Sequence, residues 1–122
     1  MSSPELTRSV VERYVELIAK GTGAQIAALY AEHGSVEDPV GTGPRAGREA
    51  LEEFYDRAAA MDSTTELLAL RVAGNEAAAH FRVVSRTGGR TYTCEPIDTF
   101  VVDDEGRIVT MRAYWGPGDL KG

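Results

Sequence analysis

The chain has 122 residues, of which 43% are hydrophobic and 26% charged. A chain of this length buries about two thirds of the surface it exposes when unfolded. That is enough for one core and one domain over residues 1–122, and it leaves no room for separate cofactor and substrate domains. Asp and Glu outnumber Lys and Arg by 19 to 13, both halves are acidic, and no basic tail or block exists. Nucleic acid and anionic membrane are therefore excluded as expected partners.

The first half reads as helical. Ser3-Pro4 has the pattern of an N-cap with proline at the first helical position. Leu6, Val10, Val11, Tyr14, Leu17 and Ile18 then recur at helical spacing, and Gly21 ends the helix. Thr22-x-x-Gln25 is a capping-box pattern that opens a short second helix carrying Ile26, Leu29 and Tyr30, with His33 at its end. Ser35 to Asp38 alternates like a strand, and Pro39, Gly41, Gly43 and Pro44 make a loop. A third helix is predicted from about Arg48 to Ala60, with Leu51, Phe54, Tyr55 and Ala58 on one side.

The second half reads as an antiparallel sheet. Thr64 to Val72, Ala77 to Arg86, Arg90 to Val102 and Arg107 to Trp115 are strand-like. Gly74-Asn75, Gly88-Gly89 and Asp104-Glu105-Gly106 separate them as hairpin signals. Helices followed by a meander of strands define an α+β class. The simplest packing curls the sheet around the helices as a half-open cone with an apolar pocket inside.

Several polar residues interrupt the apolar pattern. Along Arg90 to Val102, Asp98 shares a face with Tyr92, Cys94, Pro96, Phe100 and Val102, the more apolar of the two faces. An inward carboxylate is costly unless it is paired or protonated. Asp98 is therefore either a structural acid bonded to an arginine or backbone N–H, or a neutral hydrogen-bond donor. Tyr14 lies on the apolar stripe of the first helix, where its hydroxyl needs a partner. Tyr30 and Tyr55 occupy inward positions, so the three phenols form a possible cluster. Asp38 precedes a proline, which favours extended backbone and projects its side chain from a strand end. Alternation puts Glu37 and Asp38 on opposite sides, with Asp38 on the side of Val36. Phe81 and Val83 share one strand face, and Val109, Met111, Ala113 and Trp115 share another, as core or as pocket wall. His80 and Arg82 read as solvated, and Cys94 as a small buried hydrophobe.

Other chemistries lack their residues. The longest stretch without a charge, Gly21 to Ala31, is far short of the ~20 residues of a membrane span, and the N-terminus has no apolar signal segment. Cys94 is the only cysteine, which excludes an internal disulfide and predicts a reducing, cytoplasmic setting. His33 and His80 are far apart, so no metal site is expected. Gly41-Thr42-Gly43 runs into Pro44 instead of a helix, so no dinucleotide or phosphate loop is present and no cofactor is expected.

Taken together, the chain resembles the bacterial Δ5-3-ketosteroid isomerases of the NTF2-like (SnoaL-like) superfamily, from about Val10 to Trp115. The resemblance rests on the order of Arg13-Tyr14-Val15, Val36-Glu37-Asp38-Pro39-Val40-Gly41, Glu53-Phe54-Tyr55, Pro96-Ile97-Asp98 and Gly106 to Ala113. It implies a cone of three N-terminal helices on a curved, mostly antiparallel sheet that encloses an apolar pocket. It also implies a cofactor-free isomerase acting on an apolar, steroid-like ketone, and a homodimer. Asp38 would be the general base; Tyr14 and Asp98 would be donors to the oxyanion, Asp98 as the neutral acid characteristic of these isomerases. Tyr30 and Tyr55 would support the phenol of Tyr14. Phe54, Phe81, Met111, Trp115 and Val40 would line the pocket. A non-catalytic lipid binder and another SnoaL-like enzyme, a polyketide cyclase or hydratase, are the alternatives. The tail after Trp115 is short, which predicts reduced cover over the pocket.

Overall fold

The computed structural model describes residues 2–122. Its first helix, α1, spans Pro4–Lys20. The Ser3 hydroxyl accepts from the Leu6 N–H at 3.1 Å, and the Gly21 N–H closes the helix on the Leu17 carbonyl at 2.7 Å. Val10, Val11, Tyr14, Val15 and Leu17 form its buried stripe. The short helix α2 (Gly23–Ala27) has both bonds of the capping box between Thr22 and Gln25. Gly23 is required there, because a Cβ at this position would overlap the Asp56 side chain of α3 (Arg48–Ala59). That close approach docks α2 on α3.

Two readings of this half are corrected. Tyr30 is not helical: it opens strand β1 (Tyr30–Glu37), which also holds His33. The capping box fixes where α2 starts, but only five residues continue before the chain extends. A two-residue strand, β2 (Arg45–Ala46), follows the loop.

The remaining strands are β3 (Asp62–Ala73), β4 (Glu76–Thr87), β5 (Arg90–Cys94), β6 (Ile97–Val102), β7 (Ile108–Tyr114) and β8 (Leu120–Lys121). They form one eight-stranded sheet in the order β2-β1-β7-β6-β4-β5-β8, with β3 on the other edge of β4. Every pairing is antiparallel except β1 with β7. The sheet is curved and open, and the helices pack on its inner face.

What was predicted as one strand from Arg90 to Val102 is two, broken at Glu95-Pro96 because proline cannot donate to the ladder. The break leaves the alternation intact. Val83 pairs with Cys94 and His80 with Ile97, so β5 and β6 share one register along β4. Asp98 therefore faces inward, as the alternation predicted. On β7 the alternation fails at one residue. Val101 pairs with Thr110 but Val102 pairs with Ile108, which leaves Val109 as a bulge. Ile108 is fully buried, whereas Val109 is exposed and not on the inner face with Met111.

Candidate active site

Strand β1 delivers Asp38 to the inner face. Val36 is fully buried, Glu37 turns to the other side, and Asp38 returns inward ahead of a cis peptide to Pro39. The Trp115 indole Nε1–H donates to Asp38 Oδ1 at 2.7 Å. Burial raises the Asp38 carboxyl above its ordinary range, while the Trp115 hydrogen bond and the positive charge of Arg45 oppose that rise.

Asp98 sits in the middle of β6, paired with Ala79 of β4 and Ala113 of β7. It is 2% exposed, and its Oδ1 is buried without a hydrogen-bond partner. Both neighbouring strands present alanine at this level, so neither a cation nor a donor side chain is there. Burial, and then the charge of Asp38, push its carboxyl well above the ordinary range. A structural acid paired with an arginine is not what stands here. A neutral carboxylic acid, which can donate a hydrogen bond, fits this environment.

Tyr14 projects from α1 with its ring edge-on to Phe100 at 5.1 Å between centroids. Its hydroxyl is 2.8 Å from the Tyr55 hydroxyl on α3, which is 2.6 Å from the Tyr30 hydroxyl at the start of β1. All three phenols are held well above the ordinary range, first of all by burial. Either hydroxyl of each pair can donate; with Tyr30 donating to Tyr55 and Tyr55 to Tyr14, the Tyr14 O–H is left free to donate into the cavity. Each phenol polarises the next, which strengthens the terminal donor.

Asp38, Tyr14 and Asp98 line one cavity of about 370 Å³. Phe54, Tyr55, Phe81 and Trp115 line it as well, with Ile18, Val83, Cys94 and Pro96. Two expected wall residues are elsewhere. Met111 is fully buried in the sheet core between Val36 of β1 and Phe100 of β6, beneath the cavity. Val40 is fixed by its N–H to the Ala113 carbonyl at 2.8 Å and is not part of the wall. Tyr30 reaches the site only through Tyr55. Cys94 is half-buried in the wall instead of sealed in the core, with its thiol pushed up to about 11 by burial.

The tail contributes one residue to the wall. A 3₁₀ turn at Pro117–Asp119 leads into β8, which pairs with β5, and Leu120 becomes part of the cavity wall.

Sequence patterns concealed two other residues. The Glu37 carboxylate accepts from the Gly41 N–H at 2.9 Å and the Gly43 N–H at 3.2 Å, and it pairs with Arg112 at 3.3 Å. Gly41 and Gly43 both have positive φ, which aims their amides at it. Those amides, the Gly41 one first, hold the Glu37 carboxyl below its ordinary range. Glu37 thus clamps the loop that carries the neighbouring base candidate. Arg45 is the second: its guanidinium stacks over the Phe54 ring at 5.0 Å. Among the described residues, no group of three or more His, Cys, Asp and Glu could hold a metal ion, and no helix is long and apolar enough to cross a membrane.

The SnoaL-like domain model matches residues 11–111, an interval that begins at the α1 stripe and ends within β7. The chain belongs to the SnoaL-like family. Within that family it is 46% identical over 113 residues to a steroid Δ-isomerase of Nocardioides simplex, covering 93% of this chain and 92% of the relative. The SnoaL-like fold is also seen in a solved structure of the epoxide hydrolase/cyclase-like enzyme SalBIII, studied for its role in pyran ring formation in the polyether salinomycin. That structure superposes with a TM-score of 0.91 at 25% identity, over 98% of each chain.

Proposed function

We propose that the chain is a steroid Δ5-3-ketone isomerase, working as one domain over residues 1–122 without a cofactor. The observation that carries this reading is the convergence of Asp38, Tyr14 and Asp98 on one apolar cavity. The identity to the Nocardioides isomerase supports it.

Each residue has a distinct task. The Asp38 carboxylate removes a proton from the carbon between the ketone and the alkene. The electron pair of that C–H bond moves onto the carbonyl oxygen and gives a dienolate. Tyr14 and Asp98 donate hydrogen bonds to that oxygen as its charge grows. Such donors in a dry site contribute more in the transition state than in the ground state. The protonated Asp38 then returns the proton to the far carbon of the alkene, which leaves a conjugated enone and an ionised base. One carboxylate at a strand end serves both positions, because no other group has to exchange a proton. The apolar wall of Phe54, Phe81 and Trp115 keeps water from competing for the dienolate.

The test follows conjugated enone absorbance from 5-androstene-3,17-dione. Activity in the wild type and a loss of about 10²–10⁴-fold in Asp38→Asn are expected. Equal rates in the two proteins contradict the mechanism. A second reading, a SnoaL-like cyclase or hydratase acting on another apolar ketone, is favoured by the likeness to SalBIII. A panel of unsaturated ketones separates the two. Tight binding of a phenolic steroid with no turnover of any ketone marks a binding module. The isomerase reading also carries a homodimer through the outer sheet face that holds His80, Arg82 and Val84. Sedimentation at micromolar concentration tests it.

A further inference from the structure

A guanidinium is always charged and is costly to bring toward an apolar interior without a partner. Arg45 is nonetheless directed there. It pairs with Val36 across β1 and β2, and residues opposite one another in an antiparallel pair put their side chains on the same face. Val36 is fully buried, so Arg45 shares the inner face with Val36 and Asp38. Its guanidinium stacks on Phe54, a wall of the cavity. Its Nη1 is buried and has no hydrogen-bond partner among the described residues. A side chain needed only to pack on Phe54 would do so without a charge, at lower cost.

We propose that Arg45 is a positioning residue of the site, and that its fixed positive charge is the counter-ion that keeps Asp38 a carboxylate. The proposal rests on the reading of Asp38 as the base.

The surroundings of Asp38 single out this role. Asp98 faces it from β6, Cys94 from β5 and Tyr14 from α1, with Tyr30 of β1 behind Tyr55. Each of these is held above its ordinary range, which favours the neutral form. From α3 come Phe54 and Tyr55, neither of them charged, and Trp115 after β7 supplies a neutral donor. Glu37 is turned to the opposite face, toward Arg112. Arg45 is thus the cation whose field reaches Asp38. It acts from behind the cavity wall and not from within it, so it offsets the burial of the base without competing with the donors for the substrate oxygen. Seating the cation on an aromatic face instead of on the carboxylate also has a consequence. A direct ion pair would block the oxygen that takes the proton, whereas the field of a stacked guanidinium leaves it free.

The test compares Arg45→Met, which keeps the stem on Phe54 and removes the charge, with Arg45→Lys, which keeps the charge. The first readout is the titration of Asp38 by ¹³C NMR of carboxyl-labelled aspartate, assigned with Asp38→Asn. The second is the acid limb of the pH profile of kcat/KM for enone formation. In Arg45→Met the midpoint of Asp38 is expected to rise by about one pH unit. The acid limb follows it, with about tenfold lower kcat/KM below the midpoint and little change well above it. In Arg45→Lys both stay close to wild type. If Arg45→Met does not fold, Arg45→Gln serves as the uncharged variant. An Asp38 midpoint unchanged in a folded, uncharged variant overturns the proposal. Because the titration needs no turnover, a wild type without isomerase activity contradicts the assigned reaction and leaves the Arg45 result to be read separately.

Discussion

Two aspartates share one cavity, and their surroundings could hardly differ more. At the end of β1, Asp38 has an indole donor at 2.7 Å and the field of Arg45. In the middle of β6, Asp98 has alanines on both flanking strands and an oxygen without any partner. Burial raises both groups, but only at Asp38 do other forces oppose it. The charge of Asp38 then adds to the rise at Asp98. Two like acids next to each other cannot both ionise cheaply, and the sheet decides which one does. A strand end, where a loop and a tail bring a donor and a cation, favours the carboxylate. A strand middle, sealed by small apolar neighbours, favours the neutral acid.

The difference can be broken at either end. The largest effect is expected from Asp38→Asn, as given above. Next is Asp98→Leu, which removes one oxyanion donor while suiting the apolar wall; enone formation should fall by about 10²–10³-fold with the fold intact. Full activity in this variant means that Asp98 is not a donor. Tyr55→Phe interrupts the row of phenols without touching the substrate, so a drop of about tenfold in kcat is expected, the size of one net hydrogen bond. A loss equal to that of Tyr14→Phe would instead place Tyr55 itself on the substrate. Glu37→Gln loosens the clamp on the loop beside the base, and kcat should fall by roughly tenfold or less with KM little changed. A change in KM alone would assign Glu37 to substrate binding.

The smallest effect concerns stability. With its folded value raised well above the ordinary carboxylate value of 3.8, Asp98 keeps its proton in the native state at pH values where the unfolded chain has lost it. The unfolded state then binds fewer protons than the native one, so stability falls as pH rises. The contribution is complete below pH 3.8 and is lost progressively up to the raised native value, by at most about 1.4 kcal/mol per pH unit. Asp98→Asn should lack this slope. Urea unfolding of the two proteins between pH 5 and pH 8 checks it, and parallel dependences would mean that Asp98 ionises in the folded protein.

Local rules carried much of the site in the sequence. The Ser3 cap, the Thr22–Gln25 capping box and the alternation through Tyr92, Cys94, Asp98 and Phe100 are set within a few residues. They place Tyr14 and Asp98 without reference to the rest of the molecule. Asp38 follows from Pro39 and Val36 in the same way. What stayed hidden depends on contacts distant in sequence. The Val109 bulge is visible only against the partner strand. Met111 reads as pocket wall until Val36 and Phe100 are known to enclose it. The bond from Trp115 to Asp38 spans most of the chain, and the place of Leu120 in the wall depends on β8 finding β5. Arg45 lies between the loop that ends at Pro44 and α3, where no local pattern sets its direction. Its register opposite Val36 turns it inward.

One carboxyl in the cavity is expected to be ionised at neutral pH while the other is not. Carboxyl ¹³C NMR of aspartate-labelled protein, with Asp38→Asn and Asp98→Asn to assign the two signals, reads both directly. At pH 7 Asp98 is expected to show the shift of a protonated acid and Asp38 that of a carboxylate. An ionised Asp98 at pH 7, or a single midpoint in the ordinary carboxylate range for both, would contradict this assignment.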